Sequence, residues 1–288
     1  MQWTQLIRFE STTGKVLNGE PILKAGQTIS RQNVQGLKAR VIQGDIFSHC
    51  EVTEEVAEVK KLLAPIVPRS FRGIGLNYRQ HAEETNSKIP KNPIVFLKPP
   101  QAGQNPFDPI IVPSICQDDQ TDYEVELAIV IGKPCRNVTK EDALNYVAGY
   151  TICNDVSARK WQQFADLSSG QWCFGKSFDT FAPLGPAIVS SKVIQDPNNL
   201  VLGAKLNGKQ VQHSNTADMI FNCKHLISFL SQGSTLLPGD VIITGTPQGV
   251  GASRQPPMFL KDNDRIECYI EKIGSIDNPV IYEAHAKL

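Results

Sequence analysis

The stretch TDYEVELAIVIGK, residues 121–133, places carboxylates at every second position ahead of an apolar run. Alternate side chains of a strand share a face. Asp122, Glu124 and Glu126 therefore lie on the face that continues as Ala128 and Val130. Tyr123, Val125, Leu127, Ile129 and Ile131 lie on the other. A strand with one wet face would explain the acids alone. The carboxylate face then turns apolar, so the strand is covered on both sides and the acids sit at its entry into the interior. Buried like charges are costly unless a cation neutralises them. Residues i and i+2 lie roughly 6.5–7 Å apart on a strand, so Glu124 and Glu126 can converge on one ion. Oxygen ligands suit a hard divalent cation, Mg²⁺ or Mn²⁺, better than a soft or nitrogen-seeking metal. Asp122, at the edge, is expected to support the pair or to face solvent.

Other residues could join this chemistry. In TICNDVSARKWQQ, residues 151–163, Asp155 stands where an apolar strand gives way to a helix. A carboxylate there is either a ligand or a helix cap; as a ligand it would complete a three-oxygen site. In HAEE, His81 and Glu84 are three apart and share a helix face. A histidine with a carboxylate partner can move protons near neutral pH, although a chance surface pair has the same spacing. Lys176, in CFGKSFDT, follows a glycine, and a lone lysine is ordinarily solvated. TGTPQGVG, residues 244–251, is a tight loop after a strand. Its glycines permit positive φ, and its successive amides can cradle an anion or simply form a turn. GIGLNY, residues 73–78, lacks the third glycine and the βαβ unit of a dinucleotide fingerprint.

The elements that must position these groups are mostly strands. Strands are expected at 71–75, 93–97, 109–112, 123–132, 147–153, 186–190, 200–206, 240–245, 264–273 and 279–284. Helices are expected at 78–86, 140–147, 157–167 and 216–232, the second opened by a Thr139–Asp142 capping box and the last capped by Thr216. Residues 1–65 contain short β-branched runs and then a helix capped by Thr53, with Val52, Val56, Val59 and Leu63 at helical spacing. APIVP, residues 64–68, reads as a linker. This is a β-rich α+β pattern, a sheet rolled or stacked on itself with helices at its edges. The Gly- and Pro-rich loops 98–121 and 245–262 are where a site would be built.

Composition narrows the function class. With 29 Lys plus Arg against 29 Asp plus Glu, nothing draws nucleic acid or an anionic membrane. The seven cysteines form no C-x-x-C and suggest reduced thiols rather than a disulfide framework. The opening residues lack an apolar leader core, so a soluble, cytoplasmic protein is expected.

Five segments in order, GLNYRQHAEE, DYEVELAIVIGK, NDVSAR, GKSFDTFAPLGP and LLPGDVIITGTPQGVG, resemble the fumarylacetoacetate hydrolase family. The resemblance covers residues 71–284 and is closest to its small domain-containing members. It implies a β-roll catalytic domain over 67–288 behind a small β-rich N-terminal domain over 1–66, and a homodimer. It implies Mg²⁺ or Mn²⁺ on Glu124, Glu126 and Asp155, with Ca²⁺ able to take the site in crystals. His81 and Glu84 become a proton-moving pair on a mobile lid, and Lys176 stabilises an enolate beside the metal. Arg159, Gln162, Thr246 and Lys98 fall at substrate-binding positions. PQAGQNPFDP, after Lys98, departs from the small and hydroxylated residues expected there. The implied substrate is a small 2-oxo acid that meets the ion through its carboxylate and 2-oxo oxygen. The implied outcomes are acylpyruvate C–C hydrolysis, or decarboxylation or tautomerisation of oxaloacetate. A catechol- or homoprotocatechuate-pathway isomerase or decarboxylase is the alternative within the family. A non-catalytic small-molecule binder would have lost a metal carboxylate, the lid histidine or the lysine, and all three are present.

Overall fold

The computed structural model describes residues 2–284. Its centre is the Val125–Ile131 strand, every residue of which is buried. This strand pairs antiparallel with Val147–Asn154 on one side and Asp240–Ile243 on the other. Past Asp240–Ile243 the sheet continues through the parallel strand Ser70–Gly75 and ends at Ile94–Lys98. In the other direction it runs through Ala182–Ser190 to Gln5–Ser11. That N-terminal strand pairs with Val16–Pro21 and Cys50–Leu63, which both pair with Lys38–Gly44. The first strands are thus continuous with the central sheet through Gln5 opposite Val189 and Leu6 opposite Ile188.

A second sheet of Lys209–Asn215, Val201–Leu206, Arg265–Ile270, Gly274–Tyr282 and Ile110–Val112 stacks on the first. Val125, Leu127, Ile129 and Ile131 pack with Leu202, Ile266, Cys268 and Ile276 between the sheets. Ala128 and Val130, on the opposite face, pack with Trp3, Leu6, Phe71 and Ile188. Each large aliphatic side chain buried this way contributes roughly 1.5–3 kcal/mol. The result is the expected mostly β, α+β architecture with short helices at the edges. Among the described residues no helix is long and apolar enough to cross a membrane.

Several local expectations give way. The segment placed as a helix from Thr53 is the strand Cys50–Leu63. Its valines match a helical period, but two neighbouring strands offer ladders that a lone helix could not replace, and pairing overrides local periodicity. The Thr139–Asp142 box does form, with the Thr139 hydroxyl donating to Asp142 at 3.1 Å, yet it opens only the 3₁₀ turn Ala143–Tyr146 before the chain extends. The 216–232 helix is Cys223–Leu230, capped by Asn222, because the Thr216 hydroxyl is turned inward to Pro197 O at 2.8 Å. The 157–167 helix is a bridge, Ser157–Ala158, followed by Arg159–Gln163 and Ala165–Ser168. The strand Lys209–Asn215 was not expected at all.

Candidate metal and substrate site

The carboxylates gather where the central ladder begins. Main-chain pairing of Val125–Ile131 starts one residue after Glu124, and Thr121–Asp122 belongs to a separate short ladder with Ser157–Ala158. Asn154 Oδ1 accepts from Glu124 N at 2.9 Å, and Asp155 N donates to Glu124 O at 2.9 Å. These two bonds bring the end of Val147–Asn154 beside the entry of the carboxylate strand. Oxygens of Glu124, Glu126 and Asp155 then lie within 4.8 Å of one another, all three residues being buried.

Cations surround this acidic centre. Lys176 Nζ bridges Glu124 Oε2 at 2.8 Å and Asp155 Oδ2 at 2.5 Å, and sits 4.7 Å from the Phe96 ring centroid. Burial alone would raise Glu124, but the Lys176 and Arg159 charges outweigh it and hold the carboxyl at about 2. Glu126 has no such partner. Burial, then the Asp155 and Glu124 charges, push it well above the ordinary carboxyl range, although Gly245 N donates to its Oε2 at 2.6 Å. One acid of the three therefore resists being a bare anion beside the other two.

The proton-moving candidates reach the same place. His81 Nδ1 is 2.6 Å from Glu84 Oε1 on the helix Arg79–Glu84, while Glu83 points to solvent. Glu84 Oε2 accepts from Gly249 N at 2.9 Å, and Gln80 N donates to Asp218 Oδ2 at 3.0 Å, so both ends of the helix are tied down. A cavity of ≈ 220 Å³ is lined by His81, Glu124, Glu126, Arg159, Gln162, Lys176 and Thr246, with Leu76, Ile94, Phe96, Trp172 and Val250 as its apolar wall.

Three expected residues have roles that only the fold reveals. Asp122, expected at a supporting or solvated edge, is wholly buried. It accepts from Gly251 N at 2.8 Å, Ala252 N at 2.9 Å and Arg159 Nε at 2.8 Å, because the 249–253 loop folds back over it. Arg159 spends its fork inside the protein, on Asp122, on Glu124 Oε1 at 2.6 Å and on Gln162 Oε1 at 3.0 Å. Lys98 does not line the cavity. Its Nζ donates to Asp155 Oδ1 at 2.5 Å, Phe181 O at 2.6 Å and Val156 O at 3.1 Å, behind the acidic centre.

Sequence reasoning missed Asn77, Phe96 and Trp172. Asn77 is fully buried and joins the segment before the Arg79–Glu84 helix to the glycine loop, donating to Thr244 O at 2.7 Å and Phe221 O at 3.0 Å. Its signal was its place in GLNY. Trp172 packs so closely on Gly75 that a Cβ there would stand 2.2 Å from the ring, and nothing in its local sequence announces this.

The profile described as "Fumarylacetoacetate (FAA) hydrolase C-terminal" matches residues 70–281. A Dictyostelium discoideum protein named fumarylacetoacetate hydrolase domain-containing protein 2 homolog is 52% identical over 229 residues, 76% of this chain and 74% of its own. The Rattus norvegicus protein named oxaloacetate tautomerase Fahd2a, mitochondrial, is 47% identical over 220 residues, 76% of this chain and 69% of its own. The crystal structure of 2-hydroxyhepta-2,4-diene-1,7-dioate isomerase from Mycobacterium marinum superposes with a TM-score of 0.82 at 36% identity, covering 98% of this chain and 100% of that one.

Proposed function

We propose, from the premise that this chain belongs to the fumarylacetoacetate hydrolase family and is an enzyme of it, that it interconverts the keto and enol forms of a small 2-oxo dicarboxylate, oxaloacetate first. The observation that carries this reading is one cavity lined by Glu124 and Glu126 of the buried acidic triad and by His81, whose ring is held by Glu84. The relative named oxaloacetate tautomerase supports the choice of substrate.

The donor set fits a divalent ion, being all oxygen, buried and within 4.8 Å. We assign Mg²⁺ or Mn²⁺ to Glu124, Glu126 and Asp155. Bound there, the ion supplies Lewis acidity toward a 2-oxo oxygen. Lys176, held between two carboxylates, offers an ammonium to charge developing on the substrate. His81 keeps Nδ1 on Glu84, which leaves Nε2 to take a proton from the carbon beside the 2-oxo group and to return one. In that exchange one C–H bond is given up for one O–H bond on the 2-oxo oxygen while the C=O double bond becomes the C=C of the enol, and no C–C bond is broken. Thr246 and Gln162 line the cavity as neutral hydrogen-bonding groups for the substrate. Arg159 sets the charge beside Glu124, and Lys98 holds Asp155 from behind.

The test is to incubate the Mg²⁺ form with a panel of 2-oxo acids and to follow enol absorbance, CO₂ release and C–C cleavage separately. Enol conversion of oxaloacetate without CO₂ supports the reading. Dominant CO₂ release or acylpyruvate cleavage overturns it. A second reading, isomerisation of a longer 2-hydroxydienoate, is favoured by the overlap with the Mycobacterium marinum isomerase, and such a substrate belongs in the panel. A homodimer and a cytoplasmic location complete the proposal. Seven free cysteines suit a reducing compartment. Since the Rattus norvegicus relative is named mitochondrial, fractionation of cells carrying the tagged protein decides the compartment.

A further inference from the structure

We infer that Gln212 is a positioning residue for the acidic centre: its side-chain amide stands in for a missing neighbour strand beside Val125, the residue between Glu124 and Glu126. On one side of Val125–Ile131 the ladder runs Val130 opposite Val241, Ile129 opposite Ile242 and Ala128 opposite Ile243. Thr244 N still donates to Leu127 O at 3.1 Å. Then Gly245, at φ +95°, turns the chain away. Leu127 and Val125 direct their main-chain groups to the same side, as alternate residues of a strand do. Val125 N–H and C=O thus face the vacated edge in a fully buried setting, where unpaired main-chain groups are strongly disfavoured.

Gln212 fills the vacancy. Its Oε1 accepts from Val125 N at 3.0 Å. Its Nε2 donates to Thr246 Oγ1 at 2.9 Å and to Pro247 O at 2.9 Å. The Thr246 hydroxyl in turn donates to Val125 O at 3.0 Å. Val125, Gln212 and Thr246 close a ring of hydrogen bonds. One arc of it sets the peptide planes from which Glu124 and Glu126 project. The other sets Thr246 on the cavity wall. Gln212 itself is 1% exposed and does not line the cavity.

The strand that delivers Gln212 is built for it. Ala204 pairs with Gln212 and Lys205 with Gln210, so Val211 is the extra residue of a β-bulge. A regular strand would bury only one of Val211 and Gln212 on a given face, whereas here both are buried. Bulges commonly re-aim a side chain in this way. The inserted residue lets a strand of the second sheet reach through to the ladder of the first.

This role rests on the metal assignment above, and its test is chosen to separate the two. Mg²⁺ binding to wild type, Gln212→Met and Asn278→Ala is measured by calorimetry, beside melting temperature and kcat and KM on oxaloacetate. Asn278 is a buried control away from the centre, donating to Asn105 O at 3.0 Å and Asp108 O at 2.8 Å. Gln212→Met is expected to bind Mg²⁺ at least about tenfold more weakly, the scale of lost support around a metal ligand, and to show a raised KM. Asn278→Ala is expected to melt lower with unchanged Mg²⁺ affinity. Gln212→Asn, which keeps an amide but is too short to close the ring, gives the same comparison if the methionine variant does not fold. A folded Gln212 variant with wild-type Mg²⁺ affinity overturns the positioning role and leaves the metal assignment standing. A wild type that takes up no divalent ion overturns both.

Discussion

Glu126 is the residue whose ionisation should report on the centre. Burial and the Asp155 and Glu124 charges raise it well above its ordinary 4.5. At pH between the unfolded and folded values the fold therefore keeps a proton that the unfolded chain has released. A raised folded value makes the contribution to stability full below the unfolded value and lost as pH rises toward the folded one. A divalent ion displaces that proton, so uptake should release H⁺ and apparent affinity should climb with pH across the range where Glu126 titrates. Calorimetry in buffers of different ionisation enthalpy reads the release. Glu126→Gln should release none and bind Mg²⁺ at least about tenfold more weakly; wild-type affinity in that variant would remove Glu126 from the ligand set. His81 should behave oppositely. It touches no metal candidate, so His81→Ala should keep Mg²⁺ affinity while turnover falls roughly 10²–10⁴-fold. Normal rates on every accepted 2-oxo acid would reduce the His81–Glu84 pair to a surface contact.

At the scale of elements, the centre depends on where strands stop. Asp240–Ile243 ends at a loop whose Gly245 combines φ +95° with an amide 2.6 Å from Glu126. A Cβ at Gly245 would stand 2.7 Å from Asn77 Cβ and 3.1 Å from Ile74 O, both just ahead of the Arg79–Glu84 helix. Gly245→Ala should therefore cost more than about 1 kcal/mol, seen as a lower melting temperature, and should weaken Mg²⁺ binding as the loop shifts. An unchanged melting temperature would mean that the loop relaxes freely. The helix Arg79–Glu84 is too short to hold itself together, and its order comes from Asp218 and Gly249 at its two ends.

For the whole molecule, the N-terminal strands share core with the centre. Trp3, Leu6 and Ile42 pack in one cluster with Phe71, Ala128 and Ile188. A fragment spanning 67–288 would expose that surface and the open edge of Ala182–Ser190, so it should show no cooperative thermal transition by circular dichroism. A sharp transition near that of the full chain would show that the first strands are dispensable. The proposed dimer is expected to have closed two-fold symmetry. Light scattering should give about twice 31.7 kDa at micromolar concentration, and a stable mass at 31.7 kDa would exclude it.

The sequence by itself determined the alternation that puts Glu124 and Glu126 on one face, the His81–Glu84 spacing and the glycine loop, because each depends on residues a few positions apart. It also carried the β-rich class, since most strand runs are local in composition. Only the tertiary structure decided that Cys50–Leu63 is a strand, that Asp122 is buried beneath the 249–253 loop, and that Lys98 stands behind Asp155. Only the tertiary structure brings Gln212 to Val125, residues 87 apart in the chain. Such contacts are made between elements, and the pairing energy that selects them has no counterpart in local periodicity.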